Sequence, residues 1–201
     1  SRATVDIDFL MRQLPNKIEE IEKIIAEILS VDTGNDFIEL SAKGFETISP
    51  QRKYKGVSFQ IIGKIKNTRT PFNVDLGVGD IIVPKSEKRV IPVQLDEFTK
   101  PEISTYSIES TIAEKFDAIL QLLEMTSRMK DFYDIYYLSN MFDFDGRKLQ
   151  EAIFETLQNR GTTYSRDSLD KIKAFANDAQ MISKWNLYLH TIKMPEIKFR
   201  T

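Results

Sequence analysis

A chain of 201 residues with 41% hydrophobic content is long enough for one large domain or two small ones with a real core. Its 28 basic and 30 acidic residues leave a net charge of -2, so no global basic field marks a nucleic-acid binder, although a local patch stays open. The absence of cysteine excludes disulfides, thiolate zinc sites and cysteine nucleophiles, and a single histidine, His190, excludes a multi-histidine metal site.

His190 would have to serve any Ser-His-Asp arrangement, and its place near the C-terminus reads as structural or exposed. No apolar run approaches the roughly 20 residues that a bilayer span needs, and no signal-peptide pattern opens the chain, so a cytoplasmic protein is expected. The first residue is Ser and a strand begins almost at once, which places the natural N-terminus upstream as an expectation.

The strand is Val5-Asp6-Ile7-Asp8-Phe9. Successive side chains alternate between faces, so Asp6 and Asp8 share one face and Val5, Ile7 and Phe9 share the other, which can pack into a core. Two like charges so close cost free energy unless a cation or a basic side chain compensates. A hard divalent cation is one compensator, because it takes oxygen ligands from carboxylates and phosphates. A solvated acidic strand edge is the other reading of the same spacing.

Pro15 to Leu29 follows as an amphipathic helix, with Ile18, Ile21, Ile25 and Ile28 on one face. Tyr54 to Lys66 alternates, Val57, Phe59, Ile61 and Ile65 against Ser58, Gln60 and Lys64, and ends in the turn-like Asn67-Thr68-Arg69-Thr70. The second arm of this hairpin is Pro71 to Gly77, where Asp75 is a third carboxylate on a strand. Gly77, Gly79, Pro84, Pro92 and Pro101 mark a loop-rich connection with a short strand around Arg89 to Leu95. Beyond Tyr106 the texture turns helical. Ser107 N-caps a predicted helix to about Met125, and further helices are predicted at 129–141, 147–159 and 167–190. The fold class read from this texture is α+β, strands with a helix in residues 1–104 followed by a helical half in 105–201.

Two charges interrupt apolar helical faces. Lys115 falls on the stripe of Ile108, Ile112, Ile119 and Leu122, and Asp131 shares a face with Ile135 and Leu138. Burying either without a partner is expensive. They either pair with each other, or act as a phosphate ligand and an active-site carboxylate.

In order along the chain stand Arg2-x-Thr4-x-Asp6-Ile7-Asp8, Tyr54 to Phe59 (YKGVSF), Val74 to Asp80 (VDLGVGD), Tyr106 to Lys115 (YSIESTIAEK) and Ser127 to Asp134 (SRMKDFYD). This series resembles the AbiEii/AbiGii toxin family, whose members resemble DNA polymerase β-type nucleotidyltransferases. The resemblance runs from Arg2 to about Trp185, and SRMKDFYD is its most specific element.

The resemblance implies that Asp6 and Asp8 bind the divalent cations, Mg²⁺ or Mn²⁺, that hold a nucleoside triphosphate. Asp75 is the matching candidate for a third ligand, with Asp80 a weaker alternative. It makes Lys115 a nucleotide-binding and catalytic position and Asp131 an active-site carboxylate, with Asp134 ranked as structural. Such enzymes carry a Gly-Gly-Thr/Ser motif just before the first strand, and this sequence begins after that point, so the motif is absent from this chain. The implied function is a phage-defence, abortive-infection toxin that moves a nucleotide from an NTP to an acceptor hydroxyl, on an RNA such as tRNA, beside a cognate antitoxin. Arg52, Lys53, Lys55, Lys64, Lys66 and Arg69 on or beside the hairpin are candidate RNA phosphate contacts. A catalytically inactive nucleotide-binding or protein-interaction module of the same fold, and a metal-dependent phosphohydrolase, are the rival readings.

Overall fold

The computed structural model describes residues 6–11, 17–32, 34, 37–48, 56–78, 81–195 and 197–199. Arg2, Thr4, Val5, Pro15, Arg52 to Lys55, Gly79 and Asp80 lie outside the described residues. The chain divides into two compact units, 2–80 and 81–201.

The first unit is a four-stranded sheet in the order β1-β4-β3-β2, built from β1 (Asp6–Met11), β2 (Glu39–Ile48), β3 (Gly56–Ile65) and β4 (Thr68–Val78), with α1 (Ile18–Leu29) between β1 and β2. β3 and β4 form the predicted hairpin, closing at Ile65 opposite Thr68. β1 joins β4 in parallel, which makes the sheet mixed.

Val57, Phe59, Val74 and Leu76 are the buried members of one sheet face and pack with Ile21 of α1. Ile18 and Ile25 extend that contact, as the helical spacing requires, whereas Ile28 is 58% exposed. The helix packs toward β2. The expected burial of the apolar β1 face therefore holds only at its end. Met11 reaches the core, while Ile7 and Phe9 stay exposed on the edge strand.

Strand β2 carries no clean alternation because it bulges. Register shifts between Lys43 and Glu46, and Gly44 there adopts φ +69°, the left-handed region that a side chain disfavours. The extra residue returns Phe45 to the core face, where its ring stacks on Phe59 at 4.6 Å. Gly56 is demanding in another way. A methyl group added there would lie 2.7 Å from Ile48 Cγ1 and 2.8 Å from the Leu76 carbonyl oxygen. Gly56→Ala is therefore expected to destabilise the protein by about 1–3 kcal/mol through overpacking, read as a lower midpoint in urea unfolding.

The second unit holds the antiparallel pair β5 (Glu87–Val90) and β6 (Glu102–Thr105), then α2 (Ile108–Leu122), α3 (Met129–Met141), α4 (Gly146–Arg160), α5 (Arg166–Ala174) and α6 (Ala179–Thr191). Its boundary falls at 80/81, upstream of the change in texture at 104/105. One reason is local: the Ser110 hydroxyl in α2 donates to the Val83 carbonyl at 2.7 Å.

Ser107 caps α2 as predicted, accepting from the Ser110 N–H, but the helix stops at Leu122 and a 3₁₀ turn covers Leu123–Met125. The predicted helix 167–190 is two helices. Asp178 starts the second by accepting from the Met181 N–H at 2.8 Å, after a 3₁₀ turn at Phe175–Asn177. Trp185, Tyr133, Phe132, Phe175 and Phe199 dominate the core of this unit, and the Trp185 indole N–H donates to the Ile197 carbonyl. Among the described residues, no helix is long and apolar enough to cross a membrane.

Candidate functional site

The parallel pairing of β1 with β4 sets Asp8 opposite Asp75 and Asp6 opposite Asn73. Paired positions and alternate residues share a face, so Asp6, Asp8 and Asp75 stand together on the face opposite the core. Antiparallel pairing of β4 with β3 adds Ser58 beside Asp75 and Gln60 beside Asn73. Each rung is hydrogen-bonded across strands. The Ser58 hydroxyl donates to Asp75 Oδ1 at 2.6 Å, while Gln60 Nε2 donates to Asn73 Oδ1 at 3.3 Å and Asn73 Nδ2 donates to Asp6 Oδ1 at a long 3.4 Å. Asp6 and Asp8 are exposed and Asp75 is half-buried.

Among the described residues, no three acidic or histidine side chains are gathered into a group that could by itself hold a metal ion. The donor chemistry nevertheless fits a hard cation held by fewer protein ligands. All the available atoms are carboxylate, amide or hydroxyl oxygens, and Mg²⁺ is commonly bound through one or two carboxylates plus substrate phosphates. Asp8 and Asp75, paired in register on a solvent-accessible face, are such a set.

The second group of candidates lies in the other unit. Lys115 of α2 meets α3 through two carboxylates, Asp134 Oδ2 at 2.7 Å and Asp131 Oδ1 at 3.5 Å. Asp131 is buried at 1% exposure and also accepts from Arg128 Nε at 2.5 Å. Its spacing with Ile135 and Leu138 put it on an apolar face, and the two cations compensate the burial. Asp134, ranked as structural from the sequence, is the closer of the two carboxylates to the Lys115 ammonium. The signal for it was present: Asp131 and Asp134 are three apart on one helix and so share a face.

A third cluster was not foreseen. Asp117, also in α2, is fully buried and accepts from Gln121 Nε2 at 2.9 Å, Arg160 Nη1 at 3.0 Å and the Thr162 hydroxyl at 2.5 Å. It ties α2 to the end of α4 and the loop beyond. Of the basic hairpin residues, Lys64 is paired with Glu39 at 2.8 Å, and Lys66 and Arg69 are exposed at the turn.

JHP933 from Helicobacter pylori, known from a crystal structure, is similar over 94% of this chain and 66% of its own, at 12% identity and a TM-score of 0.47. This chain spans just under two thirds of that protein's length. No curated protein matches it. The model of the nucleotidyl transferase AbiEii toxin family of type IV toxin–antitoxin systems matches residues 1–201, the whole chain, in agreement with the order of motifs that runs through both units, and the chain belongs to that family.

Proposed function

We propose that this chain is a metal-dependent nucleotidyltransferase toxin that transfers a nucleotide from an NTP to an acceptor hydroxyl on RNA, tRNA being the class that the resemblance implies. The observation that carries the reading is the register of Asp8 with Asp75, with Asp6 on the same face, in a chain of a nucleotidyl transferase family. Mg²⁺ or Mn²⁺ bound there would supply Lewis-acid stabilisation of the attacking and leaving oxygens.

The chain's own residues position and neutralise. Asp8 and Asp75 would hold the cation, with Asp6 beside them on the same face. Asp75 also favours removal of the acceptor proton as the acceptor oxygen bonds to the α-phosphorus and the bond to pyrophosphate breaks. In the other unit, Lys115 is the phosphate-binding position that the family resemblance implies, and Asp131 and Asp134 pair with its ammonium. In domain terms, 1–104 carries the transferase-like part and 105–201 the helical part. Exposed Lys66 and Arg69 are the described basic residues best suited to RNA phosphates. The reading extends to a cytoplasmic toxin with a cognate antitoxin, whose growth arrest limits phage spread.

The test is incubation of the chain with each α-phosphate-labelled NTP, Mg²⁺ and bulk tRNA. Label in the RNA with matching pyrophosphate release is expected. Nucleoside mono- or diphosphate release without labelled RNA would instead establish a phosphohydrolase, and no turnover with retained NTP binding would establish the inactive module.

A further inference from the structure

We propose that Ser58 is a positioning residue that orients the Asp75 carboxylate for cation binding, an inference that rests on the metal reading given under Proposed function. A carboxylate at a strand position rotates about two side-chain torsions, and its broad terminal torsion leaves the direction of its oxygens poorly specified. The Ser58 hydroxyl removes that freedom. It donates to Asp75 Oδ1 at 2.6 Å, a short, charge-assisted contact, from the position directly paired with Asp75 on β3. With Oδ1 held by Ser58 of β3, the carboxylate is fixed in a row whose β1 member is its register partner Asp8. The row Ser58–Asp75–Asp8 thus runs across three strands as donor, carboxylate, carboxylate.

The neighbouring row has the same grammar at longer distance. Gln60 donates to Asn73 and Asn73 donates to Asp6, at 3.3 and 3.4 Å. Ser58 itself is half-buried between Val57 and Phe59, two of the best-buried residues of the sheet. Its backbone is therefore held by the core, and only its hydroxyl faces the carboxylates. An alanine there keeps the strand and loses the tether. A threonine keeps both, since it carries the hydroxyl and suits a strand.

The experiment is Mn²⁺ titration of the full chain followed by electron paramagnetic resonance of the free ion, with thermal unfolding of each variant in metal-free buffer. Hydrogen-bond partners of metal ligands typically matter by 10- to 100-fold, so Ser58→Ala is expected to weaken Mn²⁺ binding by about tenfold at unchanged midpoint. Ser58→Thr is expected to retain wild-type affinity. Asp75→Asn serves as the reference for loss of the ligand itself. Unchanged affinity in Ser58→Ala beside a clear loss in Asp75→Asn would overturn the positioning role and leave the metal reading standing, as would an equal loss in Ser58→Thr. Wild-type Mn²⁺ binding by Asp75→Asn would overturn the metal reading, and the proposal with it.

Discussion

Replacing both Asp8 and Asp75 by asparagine is expected to lower nucleotidyl transfer by about a thousandfold, since Lewis-acid stabilisation is worth several kcal/mol and each 1.4 kcal/mol is a factor of ten. Stability should move the other way. The two carboxylates are register partners on adjacent strands, and like charges so placed oppose each other by roughly 0.2–1 kcal/mol. Asparagine keeps the shape and the hydrogen-bond acceptor for Ser58 while removing both charges. In metal-free buffer the double variant should therefore unfold at the same temperature as the wild type or slightly higher. Added Mn²⁺ should raise the midpoint of the wild type only, because an ion that binds the folded state stabilises it in proportion to occupancy. Loss of activity together with loss of folding would show that the two aspartates serve the sheet rather than the reaction. The opposed signs separate a site from a scaffold, as expected where function is bought with local instability.

What could be read from the sequence follows the range of the interactions involved. The spacing predicts helix α3 over 129–141 and the helix is Met129–Met141, because its limits depend on local spacing. Ser107 was legible as a cap for the same reason. Strand β2 was not, because the bulge at Gly44 breaks the period-two pattern on which a strand is recognised. Strand β6, four residues of Glu-Ile-Ser-Thr, is too short and too polar to declare itself. The helix predicted over 167–190 hid an internal cap at Asp178, a residue type that marks starts as well as surfaces.

The candidate site shows the same division. The shared face of Asp6 and Asp8 follows from alternation alone, but their partners do not. That β1 would join β4 in parallel, and bring Asp8 against Asp75 rather than a residue along, is a long-range outcome no local pattern encodes. The family resemblance implies Asp75 as a third ligand, and the register sets it opposite Asp8. The exposed Ile7 and Phe9 illustrate the converse, since alternation assigns a face but not whether anything covers it.

Asp117 carries a large expected stability effect. It lies two residues from Lys115 on α2, but 200° away around the helix at roughly 100° per residue, which points it toward α4 rather than α3. Asp131 offers the instructive contrast. Both are buried aspartates with an arginine partner, yet their donors have different alternatives. If Asp131 is removed, Arg128, 44% exposed, turns to water and Lys115 keeps Asp134 at 2.7 Å. If Asp117 is removed, Arg160 is only 14% exposed and retains Glu114 at 3.6 Å, and Thr162 and Gln121 lose their shared acceptor. Removing the shared acceptor of three donors in this way costs about 1–3 kcal/mol, so Asp117→Ala should lower stability by that order, and Asp131→Ala by clearly less. Urea unfolding followed by Trp185 fluorescence, which reports the core of the same unit, measures both. Equal losses in the two variants would mean that Arg128 and Lys115 depend on Asp131 as fully as Arg160 depends on Asp117, and the α2–α3 ion pairs would then have to be counted as structural.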